Sequence, residues 1–185
     1  MISFLISLLL AFGDPSVTPR PIGVDARYHP APASHAVRRG ARVGTLRCTR
    51  GDESRYGVHI EMFARRSVVI VPAGVGVASP FAARFGTVQP RGCSYPLRTR
   101  TPTGIVEVRS GAKPTLGDFF SLWGQPLTRH RLAGFRSARP LLAFVGGRRW
   151  RGDPRTIPLA PHAQIVLELG GFVPPHRQFL FPKGL

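Results

Sequence analysis

The sequence predicts an α+β domain, in which an antiparallel or mixed sheet carries one main helix on a face. Three observations support this class. Residues 57–63 alternate between apolar and polar side chains, residues 68–71 are all β-branched, and residues 115–124 carry helix signals at both ends. Alternation with a period of two is typical of half-buried strands, whereas an apolar stripe with a period near 3.6 is typical of helices.

The first two predicted strands form a hairpin. The two faces of the first strand differ in polarity, with Val58, Ile60 and Met62 on one and His59, Glu61 and Phe63 on the other. Residues 64–67 separate this strand from the β-branched run, which stops at Pro72. A second strand pair follows at 95–100 and 104–109, and Pro96 favours either an edge position or the start of a strand for its first member.

The main helix has the clearest local signals. Thr115 is a predicted N-cap, Asp118 stands at the acidic position of a capping box, and Gly124 is a predicted C-terminal glycine. Its apolar stripe, which we expect in the core, consists of Leu116, Phe119, Phe120 and Trp123. Two further strands are predicted, at 141–145 before the Gly146-Gly147 turn and at 164–169. This order of elements resembles that of a β-grasp domain.

Four segments are predicted along the chain: a signal peptide at 1–13, a proline-rich linker at 14–42, a single domain at 43–171 and an irregular tail at 172–185. Residues 2–12 are uncharged and mostly apolar, and Ala11 and Gly13 supply small residues for cleavage. This run is too short to cross roughly 30 Å of hydrocarbon, and no later segment is suited to span a membrane. We therefore expect an exported protein, periplasmic or extracellular. A buried N-terminal strand is the alternative.

Cys48 and Cys93 are the two cysteines of the chain. An even number of cysteines in an exported protein predicts a disulfide, which would add roughly 3 to 4 kcal/mol of stability by restricting the unfolded chain. Two buried free thiols are the alternative.

The protein is strongly basic, with a formal net charge of +17, and all but two of its 26 basic residues are arginines. Such a charge favours acidic partners, either a small anion or a polyanion. The arginines are scattered, and no motif for specific nucleic-acid recognition is present. A solvated basic surface, with arginine favoured by a GC-rich genome, is the other explanation. Serine-hydrolase, HExxH and phosphate-loop motifs are also absent from the sequence, so we lean towards a protein that is not an enzyme.

Several motifs together carry a family resemblance. They are Cys48 with Glu53, His59, and residues 71–77, 93–97, 103–106, 115–127, 152–159 and 164–170. From Cys48 onwards the chain resembles an uncharacterised family of exported bacterial proteins with the pattern C, E, HxH, CxYxLHTHD, TGIIHIE and TLGxFFxxWG. The histidines of that pattern fall at alternate positions of neighbouring strands, so the resemblance implies a metal site.

Most of those histidines are replaced in this chain. Gly57 stands at the first HxH position, residues 98–101 are RTRT, and residues 107–109 are EVR. Arginine stays protonated and has no lone pair for a cation, so these replacements disfavour a transition metal as cofactor. The remaining weak candidates for metal ligands are His59, Glu53, Glu107 and His162.

Strand alternation predicts that the polar side chains share the sheet face opposite the core. The predicted polar cluster comprises His59, Glu61 and Glu107, and the predicted anion-binding residues are Arg98, Arg100 and Arg109. Guanidinium groups bind carboxylate or phosphate in a bidentate manner, so this face is a candidate anion site. The expected function is thus an exported, non-enzymatic binding module. The alternatives are a transition-metal protein with a degenerate histidine site, a charge-driven polyanion binder, and a merely solvated strand face.

Overall fold

The computed structural model describes residues 35–185 apart from Asp52. The predicted signal peptide and the linker up to residue 34 lie outside the described residues. The described part starts with a one-turn helix, α1 (His35–Arg38), and the long strand β1 (Arg55–Ala64). Five shorter strands follow, which are β2 (Ser67–Val68), β3 (Phe81–Arg84), β4 (Thr87–Pro90), β5 (Leu97–Arg98) and β6 (Ile105–Arg109).

The main helix, α2 (Leu116–Trp123), comes next. The remaining elements are β7 (Leu127–Thr128), β8 (Arg131–Leu132), β9 (Phe135–Arg136), β10 (Leu142–Val145), β11 (Arg148–Trp150), a 3-10 turn (Pro154–Thr156) and β12 (Gln164–Leu169). Neither helix in residues 35–185 is long and apolar enough to cross a membrane.

Seven strands form the main sheet, in the order β11-β10-β12-β1-β6-β5, with β2 added at the end of β1. β1 and β12 are parallel, with His59 opposite Gln164, whereas the other neighbours are antiparallel. The sheet is therefore mixed, and the predicted α+β class is confirmed. Its parallel pair is made by the first and last long strands, β1 and β12. β5 lies at the edge of the sheet, where Pro96 lacks the amide hydrogen that a neighbouring strand would need.

One face of this sheet and the helix α2 enclose the core. Val58, Ile60 and Met62 of β1 are almost fully buried, and they belong to the same apolar cluster as Phe119 and Trp123. Burial of each such side chain contributes about 1.5 to 3 kcal/mol. The predicted capping box is present at the N-terminus of the helix. Thr115 Oγ1 accepts from the Asp118 amide at 3.3 Å, and the Asp118 carboxylate accepts from the Thr115 amide at 2.9 Å.

The predicted disulfide is present between Cys48 and Cys93. Beside it, Thr49 and Ser94 exchange two backbone hydrogen bonds, of 3.1 and 2.9 Å. The bridge therefore fixes the segment before β1 against the segment before β5.

Two small sheets were not predicted. β3 and β4 form a hairpin whose turn residues, Phe85 and Gly86, both have positive φ, as a tight hairpin turn requires. β7, β8 and β9 form a second antiparallel group of two-residue strands.

Residues 35–42, which the sequence assigns to the linker, pack on the domain. Val37 is fully buried within the core cluster, and the Tyr95 hydroxyl donates to the Ala41 carbonyl oxygen. The folded part therefore begins before Val43. A single helical turn shows no apolar period, which is why composition alone placed this segment outside the domain.

Candidate functional site

The sheet face opposite α2 carries the predicted polar side chains. The register places Arg98 opposite Glu107, Arg109 opposite Arg55, and His59 opposite Gln164. Alternation along each strand thus brings these residues to one face, but their side chains form two clusters with different partners.

The first cluster centres on Glu107, which is 4% exposed. Arg98 Nε donates to Glu107 Oε2 at 2.8 Å, and Arg100 Nε donates to Glu107 Oε1 at 2.5 Å. One buried carboxylate therefore orients two guanidinium groups. It balances only one of their two positive charges.

Arg55 is a third member of this cluster that the sequence analysis missed. Its Nη1 donates to the Pro96 carbonyl oxygen at 3.1 Å, and its Nη2 donates to Ser94 Oγ at 3.2 Å. Burial, and after it the positive charges of Arg98 and Arg109, lower the pKa of Arg55 to about 10. Arg55 has the same parity as residues 57, 59 and 61, so extending the alternation by two residues would have found it.

Arg109 lies on the same face but pairs elsewhere. Its guanidinium group forms an ion pair with Glu53 and a hydrogen bond with the Thr49 hydroxyl. The Glu53 side chain is 42% exposed, so this pair lies at the rim of the cluster. Of the three predicted arginines, two therefore meet on Glu107, and the third is bound to a carboxylate that the sequence suggested as a metal ligand.

A cavity of about 290 Å³ opens beside Arg98 and Arg100. Gln89, Arg91 and Ser94 also line it. Arg91, Arg98 and Arg100 carry three positive charges, and Glu107, which pairs with two of them, supplies one negative charge. The cavity therefore has an excess of two positive charges. Guanidinium groups that are held in place by a carboxylate are preorganised to accept an anion.

The second cluster surrounds His59, whose side chain is buried. Nε2 donates to the Thr103 carbonyl oxygen at 3.0 Å, and Nδ1 lies 2.7 Å from Gln164 Oε1. Burial lowers the pKa of His59, and the hydrogen bond with Gln164 and the charge of Glu61 oppose this effect only in part. In a neutral imidazole only one ring nitrogen carries a hydrogen, and here it is Nε2. Nδ1 is therefore an acceptor, and its hydrogen bond with Gln164 requires the side-chain amide to be turned so that its NH2 group faces the ring.

The C-terminal residues 172–185 cover this second cluster. Phe179 stacks on His59, His176 Nδ1 donates to the Glu61 carboxylate at 2.9 Å, and His162 Nε2 donates to the Leu185 carbonyl oxygen at 3.1 Å. The tail has no regular secondary structure, as its prolines predict, yet it has defined contacts. Glu61 therefore pairs with the tail and not with the arginines, contrary to the charge network that strand alternation suggested.

Gly57 makes room for this cover. A Cβ atom at Gly57 would lie 2.5 Å from Phe181 Cδ1, so the ring occupies the space that any side chain at this position would need. The phenylalanines at 172, 179 and 181, in an otherwise polar and proline-containing segment, are the sequence signal for a docked tail.

The weak metal-ligand candidates do not come together. His59 contacts Thr103 and Gln164, Glu53 pairs with Arg109, and His162 contacts Leu185. Glu107 is occupied by its two arginines. Within residues 35–185, Asp52 aside, no three His, Cys, Asp or Glu side chains are grouped as metal ligands would be.

Comparisons with protein-family models, with curated proteins and with solved structures found no match for this chain.

Proposed function

We propose that this protein is an exported, non-enzymatic binding module that takes a small anion, phosphate or carboxylate, in the cavity beside Arg98 and Arg100. The observation that carries the proposal is the pairing of both Nε atoms with the two oxygens of Glu107. The Arg100 side chain is 36% exposed, and its Nη1 contact with Gln89 Oε1 is long, at 3.4 Å, so its Nη side can accept a further partner. Arg98 is held by Glu107 and lines the same cavity.

The charge around the cavity supports the same function. Two positive charges in excess, partly removed from water, are an unfavourable arrangement that a bound anion would relieve. Burial is the main cause of the lowered pKa of Arg55, and the positive charges of Arg98 and Arg109 add to it, which is consistent with a positive potential at this end of the sheet. An anion entering the cavity meets that potential together with the Ser94 hydroxyl and the Gln89 amide.

Export is supported by the disulfide and by the apolar residues 2–12. Expression of the full chain in a bacterium tests it. We expect the periplasmic fraction to contain a shortened protein with an oxidised disulfide and a new N-terminus near residue 14. Uncleaved protein in the cytoplasm would contradict export.

Calorimetric titration with phosphate, sulfate and acetate tests the anion site. Arg100→Gln removes one guanidinium group from the cavity, and Arg91→Gln removes another, whereas Arg84→Gln changes an exposed arginine on β3 as a control of equal charge. We expect the first two variants to weaken phosphate binding by about tenfold, since a charge-assisted hydrogen bond contributes roughly 1.5 to 3 kcal/mol. The control should bind like the unmodified protein.

Two results would refute this function. One is the absence of saturable phosphate, sulfate or carboxylate binding. The other is an equal loss of affinity in all three variants, together with steep salt dependence, because charge-driven binding without a defined site behaves in this way.

A further inference from the structure

A second cleft, of about 800 Å³, shares no lining residue with the cavity beside Arg98 and Arg100. It is lined by residues 127–129, 140–141 and 149–155. Its lining combines apolar side chains, among them Leu127, Leu141 and Trp150, with four arginines. A cleft of this volume lies within the usual range of ligand sites, about 300 to 1,000 Å³.

Trp150 is held in place at this cleft. Its ring packs against the core cluster while part of it stays exposed. The indole Nε1 donates to the Asp153 carbonyl oxygen at 3.2 Å. A Cβ atom at Gly152 would lie 3.1 Å from Nε1, so a glycine lets the chain pass closely over the edge of the ring. The tryptophan is thus a fixed apolar platform in the cleft.

The four arginines of the cleft are Arg129, Arg149, Arg151 and Arg155, and all are exposed. Within the described part of the chain, none of them forms an ion pair with a carboxylate. The one carboxylate in the lining belongs to Asp153, and its Oδ1 accepts from the Arg155 amide at 2.9 Å. Four positive charges and one negative charge give the cleft an excess of three.

We propose that this cleft binds an acidic glycan, a chain of sugar rings that carry carboxylate or sulfate groups. The C–H face of a sugar ring packs on the indole of Trp150, and guanidinium groups pair with the acidic groups. The four arginines come from two separate segments of the lining, residues 127–129 and 149–155, and several charged groups in one cleft match a ligand that carries several acidic groups. A glycan fits better than a nucleic acid because the disulfide belongs to an oxidising compartment, and this choice of class rests on the export proposed above.

Titration with hexagalacturonate, in about 0.15 M salt, tests the proposal. Maltohexaose supplies the rings without charge, and hexaglutamate supplies the charge without rings. Arg149→Gln/Arg151→Gln removes two charges from the cleft, and Arg38→Gln/Arg39→Gln removes two exposed charges from another part of the surface as the matched control. We expect hexagalacturonate to bind more tightly than either comparison compound. The cleft variant should lose about tenfold in affinity, and the control less than about twofold.

Trp150→Leu removes the aromatic face but keeps an apolar side chain. It should also weaken hexagalacturonate binding by about tenfold. If this variant does not fold, tryptophan fluorescence of the unmodified protein gives the same information. Trp123 is 1% exposed, so protection from acrylamide quenching by hexagalacturonate reports on Trp150.

Absence of this protection overturns the proposal, as does equal weakening in both double variants. Tighter binding of a single-stranded oligonucleotide, or of hexaglutamate, shows that the ligand class is wrong. Arg100→Gln should leave hexagalacturonate affinity unchanged, and Arg149→Gln/Arg151→Gln should leave phosphate affinity in the other cavity unchanged. Failure of one site is therefore distinguishable from failure of the other.

Discussion

The ring of Phe179 lies parallel to that of His59, with centroids 3.7 Å apart and an interplanar angle of 13°. The histidine thus has β-sheet neighbours on one side and the C-terminal tail on the other. This arrangement makes the tail part of the domain, because it removes from water a face that strand alternation alone would leave polar and exposed.

Removal of the Phe179 ring should raise the pKa of His59. Burial is the main cause of the lowered value, and Phe179→Ala would readmit water to the imidazole. NMR titration of the ring should show the pKa of His59 moving up towards the ordinary value of about 6.5. Phe85→Ala, which truncates a ring that is 90% exposed, is the control and should leave the pKa unchanged. An unshifted His59 in Phe179→Ala would mean that the sheet alone buries it.

The lowered pKa of His59 also determines how the stability of the protein should change with pH. A histidine that binds protons less well when folded contributes stability that is full above the unfolded pKa and decreases as the pH falls below about 6.5. Thermal unfolding of the unmodified protein at a series of pH values should therefore show this decrease. The decrease should be smaller in Phe179→Ala.

The sequence predicted which residues share a face, but not which of them meet. The period of two in a strand is a local property, so the positions of His59, Glu61 and Glu107 followed directly from it. The partner of Glu61 is His176, which is 115 residues away in the sequence. A pattern of neighbouring residues cannot predict a contact at that sequence separation. The tail was expected to be irregular, and irregular backbone has no period from which docking could be inferred.

The range of the local signals also explains which other elements the sequence predicts and which it does not. Helix α2 has a capping box and a glycine at its end, and these act within a few residues, so the sequence contains its bounds. Two-residue strands such as β7 and β8 bury too little to show a pattern. Burial of Val37 depends on the core cluster that it joins, which the sequence around residue 37 does not reveal.

Glu168→Gln should stabilise the protein at neutral pH. Glu168 is fully buried on β12, opposite Phe63 and Leu142, and neither carboxylate oxygen has a hydrogen-bond partner of good geometry within the described residues. Burial raises its pKa, and the nearby backbone of Val173 lowers it only in part. A carboxyl whose folded pKa is raised contributes stability that is full below the unfolded pKa and is lost as the pH rises through the folded pKa.

The neutral amide avoids this loss, so Glu168→Gln should gain on the order of 1 kcal/mol at pH 7. The gain should vanish below a pH of about 4.5, where the carboxyl is protonated in both states. Urea unfolding at the two pH values measures it. The control Glu53→Gln changes an exposed carboxylate and should give no gain in stability. If Glu168→Gln is instead less stable than the unmodified protein at pH 7, the Glu168 carboxylate must have a stabilising partner.

Loss of the Cys48–Cys93 bridge should lower the free energy of unfolding by about 3 to 4 kcal/mol. The bridge closes a loop of 45 residues, and the chain-entropy model gives this magnitude for such a loop. Cys48→Ala/Cys93→Ala and the reduced unmodified protein should agree, because the chain has no other cysteine. Urea unfolding with an unchanged slope measures the difference. A loss well below 1 kcal/mol would show that the unfolded chain is already compact around this loop.

Glu107→Gln should destabilise the protein far more than Glu53→Gln. Both carboxylates pair with arginine, but the Glu107 side chain is 5% exposed and that of Glu53 is 42% exposed. Removing the buried charge leaves Arg98 and Arg100 without their shared partner in a desolvated site, which costs about 3 to 5 kcal/mol. Removing the exposed one costs about 0 to 1 kcal/mol, since water replaces the pair. Urea unfolding of the two variants under identical conditions should show this gap, and similar losses in both would mean that water reaches Glu107 and that its arginines are not held in one orientation.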